Sequence, residues 1–402
     1  MEKVLAKLSL ISLLNLIATL ALLLVITPHL RSLGGSHFVI GLTNAIFAGF
    51  QVLGGPIAGS WSDLRGRKVV WTITYLIATA CCVMMGLTLS IPLIFLTKTL
   101  LGAFEHTQIL SKAMVGDIVQ KDKLTEAYGT MGAITSLGVI IGPILGGHLV
   151  ERENGFLYVC MFTSLLHLSN IGIIQTLEEK PTKTSTFNLQ SLKREVKKIF
   201  SDLGSINWKE FWQLFFLRFV VSFAITVVFA NQIPYIQTVH GLSQKAVGYY
   251  VAYFGILGTI SVILIGWIKK VFYSNKENET SSKLQLHLFI MYTLGLLGMY
   301  AAPTFEGLLV ATLPIAFSSS GLMIITMEAI VEKSTDSDRG VLTGASESVM
   351  GIGRCFAPLV SGIIADILHE RLVIVAPIIA SISGVILCLK LTGRHSRLDK
   401  TE

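Results

Sequence analysis

Gly59-Ser60-Trp61-Ser62-Asp63-Leu64-Arg65-Gly66-Arg67-Lys68 is a polar decapeptide set between two long apolar runs. It concentrates glycines, bases and one acid in a chain that is 52% hydrophobic and only 14% charged. A loop between membrane helices need only be wettable. This one has a definite spacing. Gly59 lets two backbones approach, Asp63 follows one helical turn later, and the Gly66 turn precedes two bases. Asp63 can accept hydrogen bonds from the free amides of a helix N-terminus and meet its positive dipole end. Arg67 and Lys68 can pair with acids on neighbouring helices or with lipid headgroups. These six positions (Gly59, Asp63, Gly66, Arg67, Lys68 and the later Asp117) form a candidate cytoplasmic gate. The plainer reading is that they only set topology.

The composition on either side requires a membrane. The chain has 402 residues and a mean hydropathy of +0.67, whereas a soluble domain carries roughly a quarter charged residues. A span needs about 20 apolar residues to cross about 30 Å of hydrocarbon. The apolar runs are too long for barrel strands, so the spans must be helices, which satisfy their own backbone. Twelve are expected, near 8–29, 38–60, 69–89, 91–111, 128–150, 155–177, 211–238, 243–268, 284–302, 306–330, 340–364 and 371–391. Leu8 to Pro28 is too long for a cleavable signal core and reads as the first span. With the N-terminus inside, 25 of the 32 Lys and Arg fall on the cytoplasmic side, four outside and three within spans. That asymmetry places both termini in the cytoplasm. It also assigns the net charge of +7 to membrane anchoring rather than to nucleic acid. The five cysteines are odd in number and all lie in apolar runs, with neither a disulfide framework nor metal-ligand spacing. No nucleotide loop and no nucleophile–base arrangement is visible, so neither a cofactor nor an enzyme is expected.

The halves repeat. Gly34, Gly41 and Gly59 recur as Gly241, Gly248 and Gly266. Gly129, Gly138, Gly142-Pro143 and Gly146-Gly147 recur as Gly344, Gly353, Ala357-Pro358 and Ser361-Gly362. The expected domains are a six-helix bundle at 1–177, a cytoplasmic linker at 178–210, a second bundle at 211–391 and a tail at 392–402. The linker's basic stretch either touches anionic headgroups or is simply solvated. After Gly266 the second half has no acid, so a gate confined to the first half is expected.

Three groups of residues carry the candidate chemistry. In the fifth span, Gly138, Gly142 and Gly146 share one face; with Gly129, Pro143 and Gly147 they suit backbone-to-backbone packing around a bend. In the fourth span, Lys98, Gly102 and Glu105 fall on one face of a continuous helix. Ionisable groups inside a span are costly and face a cavity or a partner. Glu105 is the candidate proton carrier, since burial favours the neutral carboxyl, and His106 can share the role. The alternative is a Lys98–Glu105 pair that holds the bundle together. In the second half, Arg218, Glu347 and Arg354 mark a substrate cavity, to which Asn15, Gln51 and Lys98 would contribute from the first. A buried Arg there serves either an anionic substrate group or Glu347.

The loop matches the pattern Gly-x-x-x-Asp-x-x-Gly-Arg-Lys/Arg at each defining position, and so resembles the loop between helices 2 and 3 of the major facilitator superfamily. The fifth-span pattern resembles that of the superfamily's drug/proton antiporters, the tetracycline-exporter-like branch. Glu105-His106-Thr107 and Gly353-Arg354-Cys355-Phe356-Ala357-Pro358 look closest to animal orphan facilitators of the organic-cation-transporter-like group. The first span lacks the acid found in tetracycline-type exporters, and Lys98 stands where the family has an arginine. The resemblance implies an all-α, multi-pass membrane protein: twelve transmembrane helices in two pseudo-symmetric six-helix bundles, acting as a monomer. It implies alternating-access transport of a small organic solute, by proton-linked antiport. A uniporter or symporter of the same fold, or a non-transporting scaffold or sensor, are the other readings.

Overall fold

The structure is a computed structural model and describes residues 2–120, 123–178, 201, 204, 206–273, 277–335 and 338–398. Most of the expected linker at 178–210 lies outside the described residues. The first seven helices are α1 (Glu2–Ser32), α2 (His37–Arg65), α3 (Arg67–Leu87), α4 (Ile91–Phe104), α5 (Thr107–Ile118), α6 (Leu124–Val150) and α7 (Gly155–Gln175). Six follow: α8 (Trp208–His240), α9 (Gln244–Phe272), α10 (Glu277–Ala301), α11 (Phe305–Lys333), α12 (Arg339–Ile367) and α13 (Val375–Leu398). A 3-10 turn at Glu370–Ile374 leads into the last.

Eleven of these helices are long and apolar enough to cross a membrane. Helices α4 and α5, of 14 and 12 residues, are too short singly. They follow each other with only Glu105 and His106 between, and together they make the twelfth span. The expected continuous helix at 91–111 is therefore corrected: the chain breaks at Glu105 and His106. Large apolar side chains remain exposed along the spans, Leu53, Ile263 and Val310 among them, as contact with hydrocarbon requires.

Local chemistry sets the helix ends. Ser36 Oγ accepts the Val39 amide at 3.3 Å, and Thr304 Oγ1 accepts that of Gly307 at 3.2 Å, each supplying a partner for a free N-terminal amide. Gly66 joins α2 to α3 at φ +96°, a conformation costly for a residue with a Cβ. The repeat is visible in the backbone too. The first helix of each half ends on a left-handed glycine, Gly34 at φ +86° and Gly241 at φ +65°.

Two compact units are found, one holding Met1–Lys198 with Leu242–Tyr253, the other Ile199–Gly241 with Phe254–Glu402. In the first, α1 packs on α6 and α7, α2 on α4, and α3 on α7. In the second, α8 packs on α12 and α13, and α10 on α11 and α13.

The glycine face of α6 makes the α1 seam. A Cβ added at Gly142 would stand 2.8 Å from the Ile17 carbonyl oxygen, and one at Gly146 2.8 Å from that of Ala21. Gly138 meets the Leu13 carbonyl and Leu16 in the same way. Gly353 repeats the contact in the second unit, where its Cβ would be 3.0 Å from Ser222 Cβ on α8. Gly147 faces α9, 3.0 Å from the Gln244 carbonyl. Gly129 departs from the expected packing role. It is exposed, and a Cβ there would meet nothing within 4 Å. Gly146→Leu should therefore lower stability by about 3 kcal/mol through overpacking, read as a fall in thermal midpoint in detergent. Gly129→Ala should leave the midpoint unchanged or slightly raised, since Ala is the better helix former.

Candidate functional site

Glu105 closes α4 with φ −80° and ψ 81°, and His106 opens α5 with no side-chain cap. A break in a span leaves carbonyls without partners. One of them, that of Ala103, lies 3.1 Å from His106 Nε2. A carbonyl only accepts, so this ring nitrogen carries a proton. Helix α2 comes close enough to brace the break. A Cβ at Gly54 would collide with the His106 ring and stand 2.6 Å from the Ala103 carbonyl oxygen; one at Gly102 would stand 2.5 Å from that of Phe47.

Around the break lies a polar network built from α1, α3, α5 and α7. Thr19 Oγ1 sits 3.0 Å from Glu105 Oε1 and 2.9 Å from the Asn15 carbonyl oxygen. Asn15 Oδ1 accepts from Tyr75 at 3.2 Å and from Thr107 at 3.3 Å. The Tyr75 hydroxyl in turn accepts from Asn170 Nδ2 at 3.1 Å. His167 is buried with its ring centroid 5.3 Å from that of Tyr75. Both His167 ring nitrogens, Asn170 Oδ1 and Trp71 Nε1 have no hydrogen-bond partner among the described residues. Lys98 is buried, with Nζ 4.7 Å from the centre of the Phe47 ring. Among the described residues no ion pair joins it to Glu105; in place of the alternative Lys98–Glu105 pair stand a cation–π contact and a hydroxyl.

A second polar cluster lies in the other unit. Arg218 is 2% exposed. Its Nε donates to Ser346 Oγ at 2.8 Å, Nη1 to the Met323 carbonyl at 2.9 Å and to Thr326 Oγ1 at 3.3 Å, and Nη2 to Glu347 Oε1 at 3.2 Å. Arg354 Nη2 is 3.7 Å from Glu347 Oε2. A cavity of about 600 Å³ opens beside these charges, lined also by Met323, Met327 and Met350. Nearby, Lys269 pairs with Glu328 at 2.6 Å and Glu332 at 3.2 Å.

At the loop, Arg67 is the hub. It pairs with Asp63, donates from Nε to Asp117 Oδ2 at 3.0 Å, and from Nη1 to Ser62 Oγ at 2.6 Å. Lys68 Nζ donates to the carbonyls of Gln175 and Leu177 at 3.0 and 2.8 Å, capping the end of α7.

The Major Facilitator Superfamily profile matches residues 8–275. The chain belongs to that superfamily. Human "Solute carrier family 67 member A1" is 26% identical over 351 residues, 84% of this chain and 81% of the relative. Bacillus subtilis (strain 168) "Multidrug resistance protein 1" is 25% identical over 354 residues, 87% and 86% of the two chains. The crystal structure of a bacterial homolog to human lysosomal transporter Spinster, inward-facing and unoccupied, has a TM-score of 0.76 at 16% identity. It covers 98% of this chain and 95% of its own. The fold is thus the major facilitator fold: twelve transmembrane helices in two six-helix bundles, an integral multi-pass membrane protein. This superfamily member is a transporter rather than an enzyme.

The structure brings some of the expected site residues together and separates others. Asp63, Arg67 and Asp117 meet in one ion-pair cluster. Asp117 lies in the last turn of α5 rather than beyond the helix. Gly59 does not make the tight approach expected of it: its Cβ would meet Ile109 at 3.9 Å, ordinary contact. Asn15 is buried between spans, where its Oδ1 accepts from Tyr75 and Thr107. Gln51 is exposed on α2. Arg218 spends its donors on protein. The transporter's second half, expected to lack a charge cluster after Gly266, has one: Lys269 finds its acids on α11.

Sequence reading missed Thr19, Tyr75, His167 and Asn170. The signal was present, since each is a polar group in an apolar run. Arg67→Gln should free the α2–α3 connection. Hydrogen–deuterium exchange over residues 60–66 should speed up while the rest of α2 keeps its protection. Unchanged exchange would show that Arg67 does not hold the loop.

Proposed function

We propose that the protein moves a small organic solute by alternating access, in exchange for protons, with Glu105 as the proton carrier. One observation carries this reading: Thr19 Oγ1 stands between Glu105 Oε1 and the Asn15 carbonyl, and has one proton to give. When Glu105 is protonated, its hydroxyl donates to Thr19 Oγ1 and Thr19 donates onward to the carbonyl. When Glu105 is ionised, Thr19 must turn its proton to the carboxylate and the carbonyl loses its partner. Each protonation state thus selects its own hydrogen-bond pattern on α1, next to a break in the fourth span. A proton site that also biases helix contacts is what coupling requires.

His106 supports the break as a donor to the Ala103 carbonyl. Lys98 supplies a positive charge two turns earlier on α4. The chain works as a monomer in the bilayer, with bundles at 1–177 and 211–391 joined by the cytoplasmic segment 178–210. Both termini are cytoplasmic by the asymmetry of the bases. Asp63, Arg67 and Asp117 act as a cytoplasmic gate.

The test uses purified protein in liposomes with an entrapped pH dye and a panel of small organic solutes. Solute movement against a pH gradient should carry protons the other way. Solute flux with no dye response across the panel would make the protein a uniporter. No flux at all would favour a scaffold or sensor.

A further inference from the structure

We infer that the cavity in the second unit is a binding site for a small amphipathic organic acid, whose carboxylate pairs with Arg354 and whose apolar body lies on Met323, Met327 and Met350. The inference deepens the transport reading and rests on it only in naming the ligand as cargo.

The charge balance around Glu347 decides the sign of the ligand. Arg218 is buried, and its four hydrogen bonds engage each of its three nitrogens. Guanidinium stays charged in proteins, so Glu347 is its necessary counter-ion. Arg354 is then a second cation on a carboxylate already engaged. It reaches Glu347 only through Nη2 at 3.7 Å, beyond hydrogen-bond distance. Its Nε is buried with no hydrogen-bond partner among the described residues. A buried donor left unmade is costly, and here it belongs to a side chain lining the cavity. Nε and one Nη of an arginine form the fork that a carboxylate fits with two parallel hydrogen bonds.

The opposite choice, an organic cation held by an acid, is less well served. Glu328 also lines the cavity, but Lys269 already sits 2.6 Å from it. Glu347 is held by Arg218 and approached by Arg354. Among the described residues both cavity carboxylates already have a cationic partner, whereas the Arg354 Nε has no hydrogen-bond partner.

Size and lining fix the rest. About 600 Å³ lies within the range of sites for drug-sized molecules. Methionine side chains are flexible and polarisable, and repack around different apolar shapes. The site therefore reads the acid group closely and the apolar body loosely.

The experiment is binding to the full-length protein in detergent, with no gradient imposed. 4-Phenylbutyrate, 4-phenylbutylamine and 4-phenylbutanol are compared by calorimetry. They share an apolar body and differ in the polar end. The acid should bind saturably and at least tenfold more tightly than the amine or alcohol. Arg354→Gln should remove that preference. Arg354→Lys, which keeps the charge without the fork, should retain only part of it. Equal or better binding of the amine, no saturable binding of the acid, or an acid preference that survives Arg354→Gln would each overturn the inference. Should Arg354→Gln fail to fold, the comparison of the three ligands on the unaltered protein still decides the sign. Because no gradient enters the measurement, loss of proton coupling in liposomes would leave this result standing.

Discussion

Glu105→Gln is expected to abolish pH-gradient-driven accumulation of solute, by at least tenfold, while solute-for-solute exchange survives. The reason lies in one hydroxyl. Glutamine has nearly the shape of a protonated glutamate, and its amide can donate to Thr19 Oγ1 as the acid hydroxyl would. Thr19 then stays committed to the Asn15 carbonyl. The helix contacts of the protonated state are held, and no proton can leave. Exchange needs only the return of a loaded carrier, so it continues. Thr19→Val should weaken coupling more mildly, because Glu105 keeps its site but loses the partner that reports its state. Both arms are read in the same liposomes: gradient-driven uptake and counterflow at equal pH. If Glu105→Gln accumulates solute as well as the unaltered protein, Glu105 is not the carrier. If exchange also disappears, the residue is structural.

Arg218→Leu is expected to lower stability by about 3 kcal/mol. Removing one member of a buried, hydrogen-bonded charge pair is among the larger single-residue losses. Here Glu347 is not stranded, since its side chain is 57% exposed and still near Arg354. The cost comes from the acceptors left behind: Ser346 Oγ, the Met323 carbonyl and Thr326 Oγ1, contributed by α11 and α12. Arg218 ties α8 to both. Thermal midpoints in detergent would register the change as a marked fall, with Arg218→Lys intermediate because a single ammonium cannot reach all four partners. Arg354→Gln, by contrast, should leave the midpoint nearly unchanged. An unchanged midpoint for Arg218→Leu would mean that its donors are free for ligand, and would reverse the division of labour between the two arginines.

Residues far apart in sequence changed meaning once they met. Lys269 looked idle because no acid follows Gly266, and spacing within a loop cannot reveal acids on another helix. Glu328 and Glu332 arrive from α11. Lys98 and Glu105 share one face of an unbroken helix, which left a pair open as the alternative to proton carriage. In the structure they lie two turns apart, with Lys98 over the Phe47 ring and Glu105 bonded to Thr19. Arg218 and Arg354 looked equivalent, and only hydrogen-bond geometry tells a filled guanidinium from one with a free edge.

The amino-acid sequence alone determined the class of the molecule. Hydrocarbon tolerates no unpaired backbone, so long apolar runs must become helices, and their number follows from length. It also determined the repeat, since left-handed turns and close seams each demand glycine, and Gly34/Gly241 and Gly138/Gly353 kept their places. The loop at Gly59–Lys68 was legible for the same reason: Gly66 is a backbone requirement and Arg67 a charge in need of acids. The tertiary structure decided where the fourth span breaks. Neither Pro nor a helix cap marks Glu105–His106; the break exists because His106 satisfies the Ala103 carbonyl and α2 presses against it through Gly54. It decided, too, which buried charges are spent on the fold and which remain for a ligand. That distinction depends on ångström-scale distances between helices, and linear order does not encode them.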